Sequence, residues 1–385
     1  MKPAIAVTIA NWNGHDMLTV CLQSLRTQTI QATEIIIVDN GSTDNSLPLI
    51  QSQFPEVTLI ALTDNSGFAA AHNIAIDHAF QNSAITHVLT LNNDTELAAN
   101  FIEEMLRPFE HQPLLGSVQG KIVRMHETEI IDCTGVLIHR DMSGFNRGQN
   151  LPDDNRATFA IAQEIMGPSA SAAVYARHAL EAVALPVSRT STPWRTRDGA
   201  DITQTHDYFD SLYFAYYEDV DLLWRLRLAG YSSWYTPNAV AFHAHSATGV
   251  VASPFKAFHI HRNHFFNVIK DTPMPFLLWT IALIPARYIM LVLAVLRGRG
   301  AASRLSQNVK NGTEAAVAKT TQSNSGGGAK QMVGIVFRAW KDVLLHLPEL
   351  LKKRRHIQKN RTASNREVNR WFREYAVSWS SIFFE

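Results

Sequence analysis

At 385 residues, 46% of them hydrophobic and 18% charged, the chain can bury a full core and is too apolar for a disordered segment. The net charge of +1 hides an asymmetry: residues 297–370 hold 16 Lys/Arg against 4 Asp/Glu, while residues 1–296 carry about −10. Two cysteines, Cys21 and Cys133, exclude a disulfide framework and suit a reducing cytosol, and Met1-Lys2-Pro3 runs straight into a strand, so export is not expected.

The first hundred residues alternate strand and helix. Ile5–Ala10 is a short β-rich run, and Asn13-Gly14 opens a helix with Met17, Leu18, Cys21, Leu22 and Leu25 on one face. Cys21 therefore reads as a small buried hydrophobe. Glu34–Val38 is a continuous apolar strand ended by Asp39-Asn40-Gly41-Ser42-Thr43-Asp44, with a helix expected around Ser46–Gln53. Val57–Leu62, a helix through Phe68–Phe80, the strand His87–Leu91 and a helix over Asn100–Glu110 follow. Near-continuous apolar strands separated by helices predict a largely parallel α/β sheet covered on both faces. Ligands of such sheets sit beyond the carboxyl ends of the strands, where Asp39, Asn65 and Asp94 fall.

The stretch 116–260 is less regular. Gly116–Val123 and Ile130–Ile138 read as strands, and Asp141–Arg156 as a loop. The small residues Gly167–Ala173 would let a ligand approach the backbone closely. Arg189–Thr205 reads as a surface loop, Asp219–Leu228 as a helix ending at Gly230, and Ser233–Phe242 as a strand. Met274–Leu296 has one charge, Arg287, and two prolines, which favour two short helices in a membrane interface over a spanning segment. Ser323–Gly328 reads as a linker, and Met332–Leu351 as an amphipathic helix before Lys352-Lys353-Arg354-Arg355.

The chemistry concentrates in Tyr216-Tyr217-Glu218-Asp219-Val220-Asp221, where three acids sit in a strongly aromatic segment. Buried acids are costly unless a metal, a substrate or a partner uses them. One of the three is expected to accept a proton from an attacking hydroxyl; the others cap the helix or pair with Arg225 at i+4 from Asp221. Asp94 ends a hydrophobic strand, and His243 lies in Phe242-His243-Ala244-His245. Asp94, His243 and a diphosphate would suffice for a divalent cation, Mg²⁺ or Mn²⁺. From spacing alone Asp39 reads as a turn cap, and His72 as a surface histidine. In the basic cluster of His259, His261, Arg262, Asn263, His264 and Lys270, Arg262 or Lys270 is a candidate for neutralising a leaving diphosphate, a solvated basic loop being the alternative.

Thr8-Ile9-Ala10-Asn11-Trp12-Asn13-Gly14, Ile36-Ile37-Val38-Asp39-Asn40-Gly41-Ser42, Asp64-Asn65-Ser66-Gly67-Phe68-Ala69, Leu91-Asn92-Asn93-Asp94 and Tyr217–Arg225 stand in the order found in family 2 glycosyltransferases. The chain resembles that family over about residues 4–270, and most closely its rhamnosyltransferase-like branch. The resemblance implies a GT-A fold, a nucleotide-binding α/β sheet merged with an acceptor-binding half, and an inverting transfer from a nucleoside-diphosphate sugar. It implies that Asp39 contacts the base, and that Ala10, Asn11, Asn65 and Gly67 line the nucleotide pocket. Asn93 would face the sugar or ribose, Asp94 and His243 would bind the metal, and Asp219 would be the catalytic base beside Glu218. Asn92 stands where the family's Asp-x-Asp motif has its first acid, leaving Asp94 as the metal-binding acid.

The expected organisation is a catalytic domain over 1–270 and a helical, basic, membrane-associating region over 271–385, with a linker near 298–330. The expected partners are a dTDP- or UDP-linked sugar, a glycan or lipid-linked acceptor and the inner face of the cell membrane; nucleic acid is not among them. Two other classes stay open: a non-catalytic sugar-nucleotide-binding scaffold, and a nucleotidyltransferase, against which the absence of a Gly-rich phosphate loop at Asn11-Trp12-Asn13-Gly14 counts.

Overall fold

The computed structural model describes residues 3–153, 157–187, 193–244, 253–296 and 328–377. The linker expected near 298–330 lies almost wholly outside the described residues, as does His245.

Four strands form a parallel half-sheet: β1 (Ile5–Asn11), β2 (Glu34–Asp39), β3 (Thr58–Ala61) and β4 (His87–Asn92), in the spatial order β3-β2-β1-β4. Helices α1 (His15–Arg26), α2 (Ser46–Gln53) and α3 (Gly67–Ala79) connect them. Side chains alternate across each strand. Ile5, Val7, Ile9 and Ile37 face Leu18, Cys21, Leu22 and Leu49 of α1 and α2. Ala6, Ile36 and Val38 face Ala69, Ile74 and Ile76 of α3. A sheet buried on both faces explains why these strands read as unbroken apolar runs. His72 is fully buried inside α3 rather than on the surface, with Nδ1 2.9 Å from Thr8 Oγ1. Burial pushes its imidazole down to about 3, so it stays neutral.

After β4 come β5 (Thr95–Leu97), α4 (Phe101–Leu106), β6 (Leu115–Arg124), β7 (Glu127–Cys133), β8 (Val136–Ile138), β9 (Gly144–Asn146), the short α5 (Ala157–Ala160), β10 (Gln163–Glu164), β11 (Ala172–Ala176) and α6 (Arg177–Val183). The single strand expected over 130–138 is two, broken at Gly135, whose φ of +121° favours glycine. β11 inserts antiparallel between β4 and β6. The insertion expected as a loop carries a small hairpin, β12 (Trp194–Arg195) with β13 (Asp201–Ile202). The helix α7 (Glu218–Leu228) follows, and then β14 (Ser232–His243), which pairs parallel with β6 and antiparallel with β5. The sheet is therefore mixed. Gly167 makes room for α7 rather than for a ligand: a Cβ there would lie 2.3 Å from Leu223 Cβ.

The C-terminal part comprises α8 (Pro254–Asp271), α9 (Met274–Leu296), α10 (Gly328–Lys359) and α11 (Asn365–Glu374). α9 is one helix with Pro285 inside it, not the two expected. Among the described residues no helix is long and apolar enough to cross a membrane. Packing crosses the boundary expected at 270. Tyr213, Leu223 and Trp224 share one buried cluster with Phe266, Ile284, Leu350 and Trp371. Lys270 ion-pairs with Asp210 and, at 2.5 Å, with Asp221; Lys353 reaches Asp210 at 2.6 Å and Asp207 at 3.5 Å. Residue 270 thus lies inside a shared interior.

Candidate active site

Parallel β1, β2 and β4 bring their carboxyl ends together, with Asn11 level with Asp39 and Ala10 level with Asn92. Asn11 Nδ2 donates to Asp39 Oδ2 at 2.8 Å, and the Ser42 amide donates to Asp39 Oδ1 at 2.9 Å. The buried carboxylate is thereby fixed in orientation. Asn93 Nδ2 donates to Asn11 Oδ1 at 2.8 Å, tying the end of β4 to this cluster. Gly14 is required beside them, because a Cβ there would meet Asn93 Nδ2 at 2.0 Å. One turn away, Asn40 Oδ1 accepts from Ser66 N and Oγ at 3.1 and 2.6 Å, and Asn65 Oδ1 accepts from Gly67 N at 2.8 Å. Gly67 has φ +82°, and a Cβ on it would lie 2.5 Å from Phe214 O. Arg197, from the small hairpin, donates to the Leu62 carbonyl at 3.4 Å and to the Ser42 carbonyl, placing a cation beside this cluster that sequence reasoning did not single out.

Just past the same carboxyl end of β4 the chain brings Asp94 to His243, because β5 pairs with β14 and sets Thr95 level with His243. Asp94 Oδ1 is 3.2 Å from His243 Nε2. Asp132, near the end of β7, holds Nδ1 of the same ring at 2.8 Å. Asn92 Nδ2 also faces Nε2, at 3.3 Å. Burial pushes the imidazole down, but the bonds to Asp132 and Asp94 outweigh it and hold it at about 10. Among the described residues no group of three or more His, Cys, Asp or Glu side chains could hold a metal ion unaided.

The acids of α7 occupy three environments. Asp221 is fully buried and ion-paired with Arg225 at 2.8 Å, as the i, i+4 spacing anticipates, and with Lys270. Glu218 is buried, with Oε2 lacking a hydrogen-bond partner, and burial followed by the nearby Asp219 charge raises its carboxyl well above the usual range. Asp219 keeps part of its surface exposed. Burial raises its carboxyl too, against hydrogen bonds from the Val220 and Ala170 amides and the Ser169 side chain. The same 169–171 segment links back to β4: Asn92 N donates to Ser171 O at 2.8 Å, and Thr90 Oγ1 to Ala170 O at 2.8 Å. The Cys133 thiol, next in sequence to Asp132, is raised by burial with added effect from the Asp132 and Asp219 charges. β4, β7 and the 169–171 segment therefore join Asp94, Asp132, His243 and Asp219 into one region.

The turn entering α7 is strained. Phe214, Tyr216 and Tyr217 have φ of 62°, 67° and 70°, uncommon for side chains of that bulk. Asn263 Nδ2 reaches the Tyr213, Ala215 and Tyr216 carbonyls at 3.1, 2.9 and 2.6 Å. Arg262 Nη2 donates to the Leu212 and Tyr213 carbonyls, each at 2.9 Å, its Nε to Asn263 Oδ1 at 2.9 Å, and its Nη1 to Asp342 at 3.3 Å. This corrects the expectation for Arg262: its guanidinium is engaged in bracing the turn and joining it to α10, not in meeting a diphosphate. Asp132 and Asn263 join Arg197 as residues that sequence reasoning missed. An aspartate in a strand and an asparagine in a basic helix give no local signal.

The glycosyl transferase family 2 model matches residues 6–183. An N-acetylglucosaminyl-diphospho-decaprenol L-rhamnosyltransferase of Mycobacterium tuberculosis is 26% identical over 266 residues, 67% of this chain and 81% of the relative. The teichoic acid poly(glycerol phosphate) polymerase of Staphylococcus epidermidis is 31% identical over 111 residues, and the chain spans only 15% of that protein's length. Among solved structures, a mannosyltransferase from Pyrobaculum calidifontis in complex with GDP-Man and Mn²⁺ aligns over 89% of this chain and 88% of its own, at 17% identity and TM-score 0.47. The mixed α/β sheet and the family match support the GT-A fold. With its motif residues gathered at the strand ends and the start of α7, the chain is a glycosyltransferase whose residues 6–183 form a family 2 domain.

Proposed function

We propose that this enzyme moves a sugar, rhamnose in our reading, from a dTDP- or UDP-linked donor to a hydroxyl of a cell-surface polysaccharide or lipid-linked glycan, with inversion and with a divalent cation. The observation that carries the reading is the Asp219 carboxyl, partly exposed at the start of α7 and bonded to the segment that ties into the end of β4. The similarity to the mycobacterial rhamnosyltransferase supports the sugar and the lipid-linked acceptor.

In this reading Asp39, held by Asn11 and Ser42, accepts from the base. Ala10, Asn11, Asn65 and Gly67 line the nucleotide pocket, and Asn93 faces the ribose or sugar. Asp94 and His243 are the side chains that would hold the cation. Two donors 3.2 Å apart form an incomplete set, which suits an ion completed by a diphosphate. Asp132 on Nδ1 would leave Nε2 to meet the ion. Bound there, the cation offsets the charge of the departing diphosphate. Asp219 takes the proton as the acceptor oxygen attacks the anomeric carbon and the bond from that carbon to the β-phosphate oxygen breaks. Glu218, raised further by burial and by the Asp219 charge, gives up its proton less readily than Asp219, which suits Asp219 to the role of base. A lipid-linked acceptor would place the protein at the inner face of the cell membrane.

The test is donor binding and slow hydrolysis across UDP-, dTDP- and GDP-sugars with Mn²⁺, Mg²⁺ or EDTA. One donor that binds and turns over only with metal supports the reading and names the sugar. A folded protein that binds none would make it a scaffold.

A further inference from the structure

The outward faces of α9 and α10 are more apolar than an ordinary water-facing surface. On α9, Met274, Leu278, Trp279, Ile281, Pro285 and Ile289 all point outward, with Leu278 80% and Trp279 59% exposed. Their spacing places them on one side of the helix. That side carries no charge from Met274 to Ile289, because the single charged residue, Arg287, turns inward to Ser143 at 2.8 Å and Asp141 at 3.7 Å. On α10, Phe337, Trp340, Leu344, Leu345 and Leu351 form a second outward stripe, with Phe337 77% and Trp340 52% exposed. The opposite side, with Ile335, Ala339, Val343 and Leu350, is the buried one.

Charge decides what such a surface meets. Both acids of α10 are used internally, Asp342 by Arg262 and Glu349 by Lys353 at 3.4 Å. The exposed charges left on α10 are Arg338, Lys341, Lys352, Arg355 and Lys359, all positive. Contiguous exposed apolar area marks an interaction site. Cations interleaved with exposed tryptophan, phenylalanine and leucine on a helix too polar to span fit an anionic bilayer surface. The apolar side chains enter the headgroup boundary there and the long cationic side chains reach the phosphates. A protein partner would need a matching acidic rim; a bilayer supplies both layers at once.

We propose that α9 and α10 are a lipid-docking surface: the uncharged face of α9 and the Phe337–Leu351 stripe of α10 insert into the interface of an anionic membrane, held by the α10 cations. This rests on the reading that the acceptor is lipid-linked, since it would set the catalytic half against the membrane carrying that acceptor. α10 is fixed to the strained turn by Arg262 and to the interior by Lys353, so the docked helix and the acids of α7 form one body.

The test is flotation of the full-length protein with vesicles of phosphatidylcholine alone or with phosphatidylglycerol. Flotation is expected only with the anionic vesicles and should fall with added salt. Lys341→Glu with Lys352→Glu should cut the bound fraction roughly tenfold or more. Phe337→Ser with Leu344→Ser, 77% and 64% exposed, should lower the fraction bound to the anionic vesicles while leaving donor hydrolysis in solution unchanged. Equal flotation of these variants and the parent, or no flotation of the parent, would overturn the proposal. If the parent instead forms a dimer by light scattering that the Phe337/Leu344 variant loses, the face joins two copies and the lipid assignment falls. Loss of donor hydrolysis in every protein, with flotation intact, would count against the catalytic reading alone.

Discussion

The two halves of the molecule are held together by different physics. Around β1–β4 the interior is largely apolar, and polar side chains gather at the carboxyl ends of the strands. Between α7, α8 and α10 the interior contains charges: Asp207, Asp210, Asp221, Arg225, Lys270 and Lys353 are all buried. An aliphatic core loses stability in proportion to the atoms removed. A buried ionic network behaves differently, because removing one member strands its partner in a low-dielectric interior. The contrast shows why α7 depends on residues more than a hundred positions away. Asp221, two residues after Asp219, is fixed through Lys270, and Lys270 shares Asp210 with Lys353.

That contrast can be broken in graded steps. The largest effect belongs to the chemistry: Asp219→Asn should reduce transfer by about 10²–10⁴-fold while donor binding measured by calorimetry stays near the parent value. A parallel loss of binding would mean that the residue shapes the pocket rather than takes the proton. Lys353→Met should destabilise the fold by about 3–5 kcal/mol in urea unfolding, with Asp210 and Asp207 left short of a cation. Asp132→Asn should weaken Mn²⁺ binding by about 10–100-fold, read by the electron paramagnetic resonance of free Mn²⁺ in the presence of nucleoside diphosphate. Unchanged affinity would remove the histidine-orienting role. At the other extreme, Ile37→Val in the aliphatic half should cost only about 0.5–1.5 kcal/mol.

The pH profile sharpens the same comparison. Burial raises the Asp219 carboxyl, so it holds its proton at pH values where an ordinary aspartate, near about 3.9, has lost it. A base is active only when deprotonated, so the acid limb of kcat/KM should fall at a pH above that ordinary value. Asp207 is raised by burial to about 6, against the opposing Lys353 charge. Between its unfolded value and about 6 the folded state binds the extra proton. The contribution of Asp207 to stability is therefore present at the acid end of that window and is lost as pH rises through about 6. A stability profile flat across this range would argue that Lys353 keeps Asp207 ionised throughout.

Much of the nucleotide half is legible in the sequence. The strands β1, β2 and β4 lie within a residue or so of their expected bounds, and Asp39, Asn11, Asn93 and Asn65 fall at the strand ends where a parallel sheet puts its ligands. The pairing of Asp221 with Arg225 follows from helical spacing alone. The C-terminal half was read less well. Pro285 suggested a break in a helix that continues, and the basic run at 352–355 was counted with a membrane-associating region, whereas Lys353 is buried among aspartates. Arg262 looked like a phosphate ligand because its neighbours in sequence are basic, yet its partners are carbonyls of a distant turn.

The division has a physical cause. Side-chain periodicities of 2.0 and 3.6 residues, turn-forming Asn, Asp and Gly, and apolar runs are local properties, so the sequence by itself determined the α/β alternation, the polar residues at the strand ends and the family motifs. Which partner a charged group finds depends on elements brought together across long separations. Whether Lys353 meets water or Asp210, whether Arg262 meets a diphosphate or the Tyr213 carbonyl, and that Asp132 stands behind His243, were decided only by the tertiary structure. Desolvation makes a buried charge worth its position only when the opposing group is already in place.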